Sequence, residues 1–301
     1  LDMEIDIAAY MAEQRTAALV IVQNGKVRFE EYGLDFTADG RWTSFSVAKS
    51  FTSTLVGAAI KDGFIASIDD KVSHYLPALK GSAYDDVSIE QLLTMTSGVQ
   101  WNEDYEDKNS DVALFNEHRA EEGLDVTVSY MRRLSRETPA GSQWVYKTGE
   151  TNLIGVLVSS VTGKTLSQYL TEKIWRPLGM QQDGSWLLGS TGHEISGCCI
   201  QASTRDFARF GQFILNGADA GGQKVVPDDA VSLRDGAIQP WTTPAYRHEL
   251  DELLALADDY EIPADVPFAE VGPKARQLIH DGIPERDFGG LSGFHQWLVK
   301  N

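Results

Sequence analysis

A serine hydroxyl and a lysine amine stand three residues apart in SFSVAKSFTSTLVGAAIKDG, at Ser46 and Lys49. Residues i and i+3 share a helix face, so a helical run places the two groups side by side. A hydroxyl becomes a strong nucleophile only when a base takes its proton, and a neutral amine can be that base. Ser46 falls in the predicted helix's first turn, where unpaired N–H groups and the macrodipole favour an alkoxide or oxyanion. Phe45 and Phe51 are expected to desolvate Lys49 and lower its pKa. Ser-x-x-Lys arises by chance about once in a chain of this size, and Ser46–Lys49 is its sole instance here. The bland alternative is an N-terminal helix serine with a solvated lysine.

The remaining composition narrows the partners. The chain has 301 residues, 42% of them hydrophobic, enough for one large domain or two interleaved subdomains. No run approaches the roughly 18 apolar residues of a membrane span. A net charge of −18 repels phosphates and anionic surfaces, so neither nucleic acid nor membrane is expected as a partner. The opening LDMEIDIAAYMAEQ is acidic and is not a signal peptide. Position 1 is not Met, so an upstream leader could have been removed, and cytoplasm and periplasm both stay open. Oligomeric state stays open too. Cys198 and Cys199 are adjacent and are expected as small buried strand residues rather than a disulfide. No zinc spacing and no cofactor motif occurs.

The elements that must position the pair follow from turn and cap signals. AALVIVQNGKVRFEEYG (17–33) is a hairpin about Asn24-Gly25. A short amphipathic helix precedes it, at 4–14. The helix over 46–61 carries Phe51, Leu55, Ala59 and Ile60 on one stripe. DDVSIEQLLTMTSG is a short helix capped by Ser88 with Gln91 and ended by Gly98. The run 152–180 gives two helices broken at Gly163. Residues 203–217 form another, with Phe207, Phe210, Ile214 and Leu215 inward. Residues 241–290 are atypical, rich in Asp, Glu and Pro, with one helix over 246–260. GGLSGFHQWLVKN then reads as glycines followed by a strand. The expected class is α+β: an antiparallel sheet gathering strands from both chain ends, flanked by helices, with a helical subdomain at about 64–200 inside a single domain 1–301.

Several of these segments, in this order, resemble the serine β-lactamase-like hydrolases: class C β-lactamases, penicillin-binding D,D-peptidases, family VIII esterases and 6-aminohexanoate oligomer hydrolases. TSFSVAKSFTSTLVGAAIKDG is similar to their nucleophile helix. IDDKVSHYLPAL and VSIEQLLTMTSGVQW are similar to the two segments after it, GSQWVYKTGETNLIGVLVSSVTG to the tyrosine-bearing second motif, and CCIQASTRDFARFGQFILNG to a later helix. The resemblance covers residues 17–227. It implies Ser46 as the acylated nucleophile, Lys49 as its proton partner and Tyr146 as the shuttle to the leaving group. The alternative for Tyr146 is a core aromatic with its hydroxyl satisfied. Thr148 stands where relatives place a polar side chain. Gly293-Phe294-His295 is similar to the strand whose backbone N–H completes the oxyanion hole, which would pair Phe294 N–H with Ser46 N–H. Tyr105, then Trp101, match an aromatic substrate contact.

The match has departures. The second motif is Tyr146-Lys147-Thr148, and the Lys-Thr-Gly at 147–149 lies mid-chain rather than on a late edge strand, so it is coincidental. Relatives continue past the oxyanion strand with another strand and a helix. The expectation is therefore a trimmed end or a sheet edge repacked by 241–290. NEDYEDKNSD lacks the spacing and glycine of a calcium loop, and no metal is expected. Gly-x-Ser-x-Gly is absent. Three functions compete: a serine hydrolase of small esters or amides, a D,D-peptidase or β-lactamase, and a non-catalytic binding domain. Keeping Ser46, Lys49 and Tyr146 together argues against the third, and the lack of a late Lys-Thr-Gly strand argues against the second.

Overall fold

The computed structural model describes residues 6–227, 231–238, 241 and 246–300. Asp6 caps helix α1 (Ile7–Glu13), accepting the Ala9 N–H at 3.1 Å. Strands β1 (Ala18–Gln23) and β2 (Lys26–Tyr32) pair antiparallel in a two-stranded sheet. Asn24 and Gly25 turn between them at φ +51° and +70°, the double positive φ of a type I′ turn. Strand β3 (Trp42–Thr43) leads through one 3-10 turn, Phe45–Val47, into helix α2 (Ala48–Lys61). Ser46 thus occupies the tighter turn ahead of the α-helix, and Lys49 the first turn of α2.

Helices α3 (Val72–Tyr75), α4 (Ile89–Leu93), α5 (Asp111–Glu117) and α6 (Val126–Met131) follow. Ser88 and Gln91 form the full capping box of α4, but that helix ends at Leu93, ahead of Gly98. Helix α7 (Thr148–Thr162) stops at Gly163, which takes φ +65°, and α8 (Leu166–Leu170) follows. Strands β4 (Ser185–Trp186) and β5 (Ile200–Ala202) join β3 in an antiparallel sheet of order β3-β5-β4. Helix α9 (Thr204–Leu215) precedes a small hairpin, β6 (Asp219–Ala220) with β7 (Gln223–Lys224). Helices α10 (Arg247–Leu256), α11 (Pro273–Asp281) and α12 (Gly290–Lys300) complete the described chain. Helices with small antiparallel sheets make the class α+β.

Two apolar clusters hold these elements. The first gathers residues from Ala48 to Val225 around α2 and α7. Phe51, Leu55 and Ala59 of α2 are fully buried, and Phe51 stacks on Phe210 of α9 with ring centroids 3.6 Å apart. The second runs from Leu233 to Phe294, with Trp241, Leu250, Leu253 and Phe288 at its centre.

Three expectations are corrected. The C-terminal segment is helix α12, not a strand, and among the described residues no strand from that end joins the β1–β2 hairpin. Leu291, Phe294 and Leu298 recur at i, i+3 and i+7, a helical period. On α9 the buried stripe is Asp206, Phe210 and Phe213, while Ile214, at the edge of that stripe, is 45% exposed and Leu215, on the opposite face of the helix, is 81% exposed. Cys198 and Cys199 are joined in a disulfide immediately before β5.

Candidate active site

Ser46 is exposed at the mouth of a site built on the start of α2. The preceding residue, Phe45, has φ +43°, a conformation costly for a side chain of that size. Strand pairing holds it there. Ser44 N–H donates to Ile200 C=O at 2.7 Å, and Ile200 N–H donates to Ser44 Oγ at 3.0 Å. Trp42 and Thr43 pair with Ala202 and Gln201. The turn throws the Ser46 hydroxyl outward and leaves Phe45 62% exposed. Phe45 therefore does not wall off Lys49. Phe51 does not either, because its ring lies in the core against Phe210.

Lys49 Nζ lies 3.1 Å from Ser46 Oγ, 3.2 Å from Thr148 Oγ1 and 2.7 Å from the Gly197 carbonyl oxygen. Tyr146 OH donates to Ser46 Oγ at 2.8 Å, and Lys49 Nζ stands 5.0 Å from the centre of its ring. Hydroxyl, amine and phenol thus meet at one oxygen, from positions 100 residues apart. Gly197 reaches the lysine because it has no side chain. A Cβ there would stand 2.7 Å from Thr148 Cγ2 and 3.0 Å from Asn152 Oδ1.

Tyr146 is held from behind. Val145 N–H donates to Met95 C=O at 3.1 Å, and Lys147 N–H lies 3.3 Å from Met95 Sδ. The Lys147 side chain turns inward and is buried, its Nζ 3.9 Å from Glu150 Oε1. It does not face the site, so it is not a substrate-facing cation. Glu150 is fully buried. Burial pushes its carboxyl up to about 7, against the Lys147 charge and the Ser97 and Tyr84 hydroxyls, which pull it down. Glu150 Oε2 has no hydrogen-bond partner.

Thr148 opens α7 and is largely buried. Tyr105 is 70% exposed beside the site. Trp101 is 7% exposed, packed edge-on against Tyr130, so it is a wall residue rather than an open contact. Both donate to Glu103, Tyr105 OH at 2.7 Å and Trp101 through its indole N–H. Although most of the ring is open to solvent, partial desolvation, then the hydrogen bond to Glu103, pushes the Tyr105 phenol up to about 12. Glu103 also accepts the Thr148 N–H at 2.9 Å and the Thr148 hydroxyl. Nothing in the sequence singles out Glu103, one acid among several in NEDYEDKNSD.

Phe294 and His295 are not in this constellation. Phe294 packs on Trp241 and Tyr246 in the second cluster and lines a cavity of about 340 Å³ with Ile60 and Gly63. Ile60 is at the far end of α2, on the order of 20 Å along its axis from Ser46. His295 lies in the same helix, and its side chain is outside the described residues. A helix at this position cannot present the strand N–H expected for an oxyanion hole. Among the described residues no group of three or more His, Cys, Asp or Glu is placed to hold a metal ion, and no helix is long and apolar enough to cross a membrane.

Comparisons with known proteins bear on the family and the fold. The 6-aminohexanoate-dimer hydrolase of Paenarthrobacter ureafaciens is 30% identical over 227 residues, 73% of this chain and 57% of that protein. A β-lactamase of Pseudomonas fluorescens is 26% identical over 183 residues, 57% of this chain and 46% of that protein. The chain spans about half the length of these curated relatives. Among solved structures, a 6-aminohexanoate-dimer hydrolase from Bacillus anthracis aligns with a TM-score of 0.66 at 23% identity, covering 75% of this chain and 61% of that one. A class C β-lactamase aligns at 0.56 and 23% identity, covering 75% and 67%. At these identities both show a β-lactamase-like fold. Residues 222–289 match the model of the UvrA DNA-binding domain. There, 61 residues are 38% identical to UvrABC system protein A of Rickettsia felis, over 6% of that protein. The acidic region set apart in the sequence, 241–290, largely coincides with this match, as does the second apolar cluster. Residues 6–249 match the β-lactamase family model, and with most of its length inside that match the chain belongs to the β-lactamase family of serine hydrolases.

Proposed function

We propose that this chain is a serine hydrolase that cleaves small esters or amides through an acyl-enzyme on Ser46. The observation that carries this is the convergence of Lys49 Nζ and Tyr146 OH on Ser46 Oγ, at 3.1 and 2.8 Å. Lys49 takes the Ser46 proton as the hydroxyl oxygen attacks the carbonyl carbon. Tyr146 returns a proton to the leaving oxygen or nitrogen, and water then releases the acid. Exposed apolar side chains near the motif residues in the chain favour an apolar acyl group: Phe45 and Val47 flank Ser46, Trp144 lies two residues before Tyr146, and these with Tyr105 are 62%, 54%, 64% and 70% exposed. Lys147 is buried, so the site lacks the cation that would recognise a penicillin-type carboxylate at that motif, which places a D,D-peptidase or β-lactamase second. Nucleic acid is no partner in this proposal. The UvrA-like residues 222–289 hold 14 acidic and 6 basic side chains, the wrong sign for phosphate.

The test compares p-nitrophenyl butyrate with nitrocefin, in the native protein and in Ser46→Ala. Ester turnover lost in Ser46→Ala, with slower nitrocefin cleavage, supports the assignment. Faster nitrocefin cleavage supports the penicillin-recognising alternative. Absence of both turnover and fluorophosphonate labelling at Ser46 refutes a hydrolase.

A further inference from the structure

Glu103 is saturated. A carboxylate offers about four lone-pair sites and donates nothing when ionised. Here Oε1 receives the Thr148 hydroxyl and Tyr105 OH, and Oε2 receives the Thr148 N–H and the Trp101 indole. The loop carrying it is clipped by Asn102 N–H to Asp111 Oδ2, at 2.7 Å, and by Asp104 N–H to Asn102 Oδ1, at 3.0 Å. A threonine hydroxyl has one proton. Once that proton goes to Glu103, the Thr148 oxygen can only accept from Lys49, 3.2 Å away. The other neighbour of the amine, the Gly197 carbonyl at 2.7 Å, also only accepts. A neutral amine has two N–H groups and one lone pair. The charged ammonium donates to Ser46, Thr148 and Gly197; in the neutral form, with both N–H groups committed to Thr148 and Gly197, the lone pair is left for Ser46 Oγ.

We propose that Glu103 is a positioning residue which, by fixing the direction of the Thr148 hydroxyl, aims the Lys49 lone pair at Ser46. This rests on the assignment of Ser46 as nucleophile and Lys49 as its base. The isosteric variant Glu103→Gln makes a definite prediction. Its amide oxygen must face the Thr148 N–H and the Trp101 indole, which cannot reverse. Its amide nitrogen then faces two hydroxyls, which can. The Thr148 hydroxyl becomes an acceptor from the amide and turns its proton on Lys49, occupying the lone pair. The fold keeps its hydrogen bonds while the base is blocked.

The experiment measures kcat and KM for p-nitrophenyl butyrate from pH 6 to 9, and the rate of Ser46 labelling by a fluorophosphonate. The variants are Glu103→Gln, Glu103→Asp, Thr148→Val, Glu103→Gln/Thr148→Val and Ser46→Ala. The expected result is a fall of about 100-fold or more in kcat and labelling rate for Glu103→Gln. KM and the thermal midpoint should stay close to native, with partial recovery in Glu103→Asp. Glu103→Gln should change little further once Thr148→Val has removed the reversible hydroxyl. Native kcat in Glu103→Gln, or an equal loss in the Thr148→Val background, overturns the proposal while leaving Ser46 and Lys49 intact as nucleophile and base. Native turnover in Ser46→Ala overturns the underlying assignment, and this proposal with it.

Discussion

The buried carboxyl of Glu150 makes the stability of this protein depend on pH in a direction opposite to that of an ordinary salt-bridged acid. In the unfolded chain it titrates near 4.5, and in the folded protein near 7. Between these values unfolding releases a proton, so stability is complete below pH 4.5 and falls as pH rises through 7. At about 1.4 kcal/mol per pH unit, the gap corresponds to about 3 kcal/mol. The perturbation is Glu150→Gln, which preserves shape and the Tyr84 and Ser97 hydrogen bonds but cannot ionise. Urea denaturation at pH 5, 6, 7 and 8 gives the difference between native and variant stability. That difference should shift by about 2.5 kcal/mol toward the variant from pH 5 to pH 8, the rest of the gap falling below pH 5. A constant offset from repacking is expected as well; the loss of the Lys147 partner, 3.9 Å away, is felt only where Glu150 is ionised and so belongs to the pH-dependent part. Glu150→Gln/Lys147→Met removes that amine and should show the same pH-dependent shift with a different offset. A difference flat within about 0.5 kcal/mol, a shift far below the unit-per-unit slope, would refute the argument, since it requires an ordinary carboxyl open to water.

Gly197→Ala should cost on the order of 100-fold in kcat, because its Cβ would push Thr148 away and move the carbonyl that holds Lys49; steady-state ester kinetics with a melting curve check this. Phe51→Ala should lose about 3–5 kcal/mol of stability in urea denaturation, since its ring is fully buried against Phe210. His280 lies 2.6 Å from Asp70 and from Asp281, and the hydrogen bond to Asp70 raises it to about 9, against burial. Its contribution is complete below pH 6.5 and lost as pH rises through 9, so His280→Gln should remove up to about 3 kcal/mol at pH 6 and little at pH 10.

How much of this was legible in the sequence varies with the kind of signal. The pairing of Ser46 and Lys49 follows from a fixed helical spacing, and the hairpin from Asn24-Gly25. Both depend only on neighbours. The meeting of Tyr146 with Ser46 depends on tertiary packing, and only family resemblance suggested it. Phe45 carries no mark of its positive φ, because the pairing of β3 with β5 imposes it. Glu103 was invisible among 44 acidic residues, its role depending on which hydroxyls reach it. The C-terminal segment is the opposite case. The spacing of Leu291, Phe294 and Leu298 spells a helix, while the glycines ahead of a short apolar run read equally as a strand, and in so short a run the two periods are hard to separate.

The β1–β2 ribbon has one further consequence. Each of its strands has one neighbour among the described residues, so each keeps a flank where another polypeptide could continue the ladder. Ile21 and Val27, 43% and 52% exposed, add apolar surface to this ribbon. Lys26, Arg28 and Glu31 oppose indiscriminate stacking of copies. Concentrated preparations should therefore be most prone to self-association near the isoelectric point of about 4.7, where net repulsion between copies vanishes.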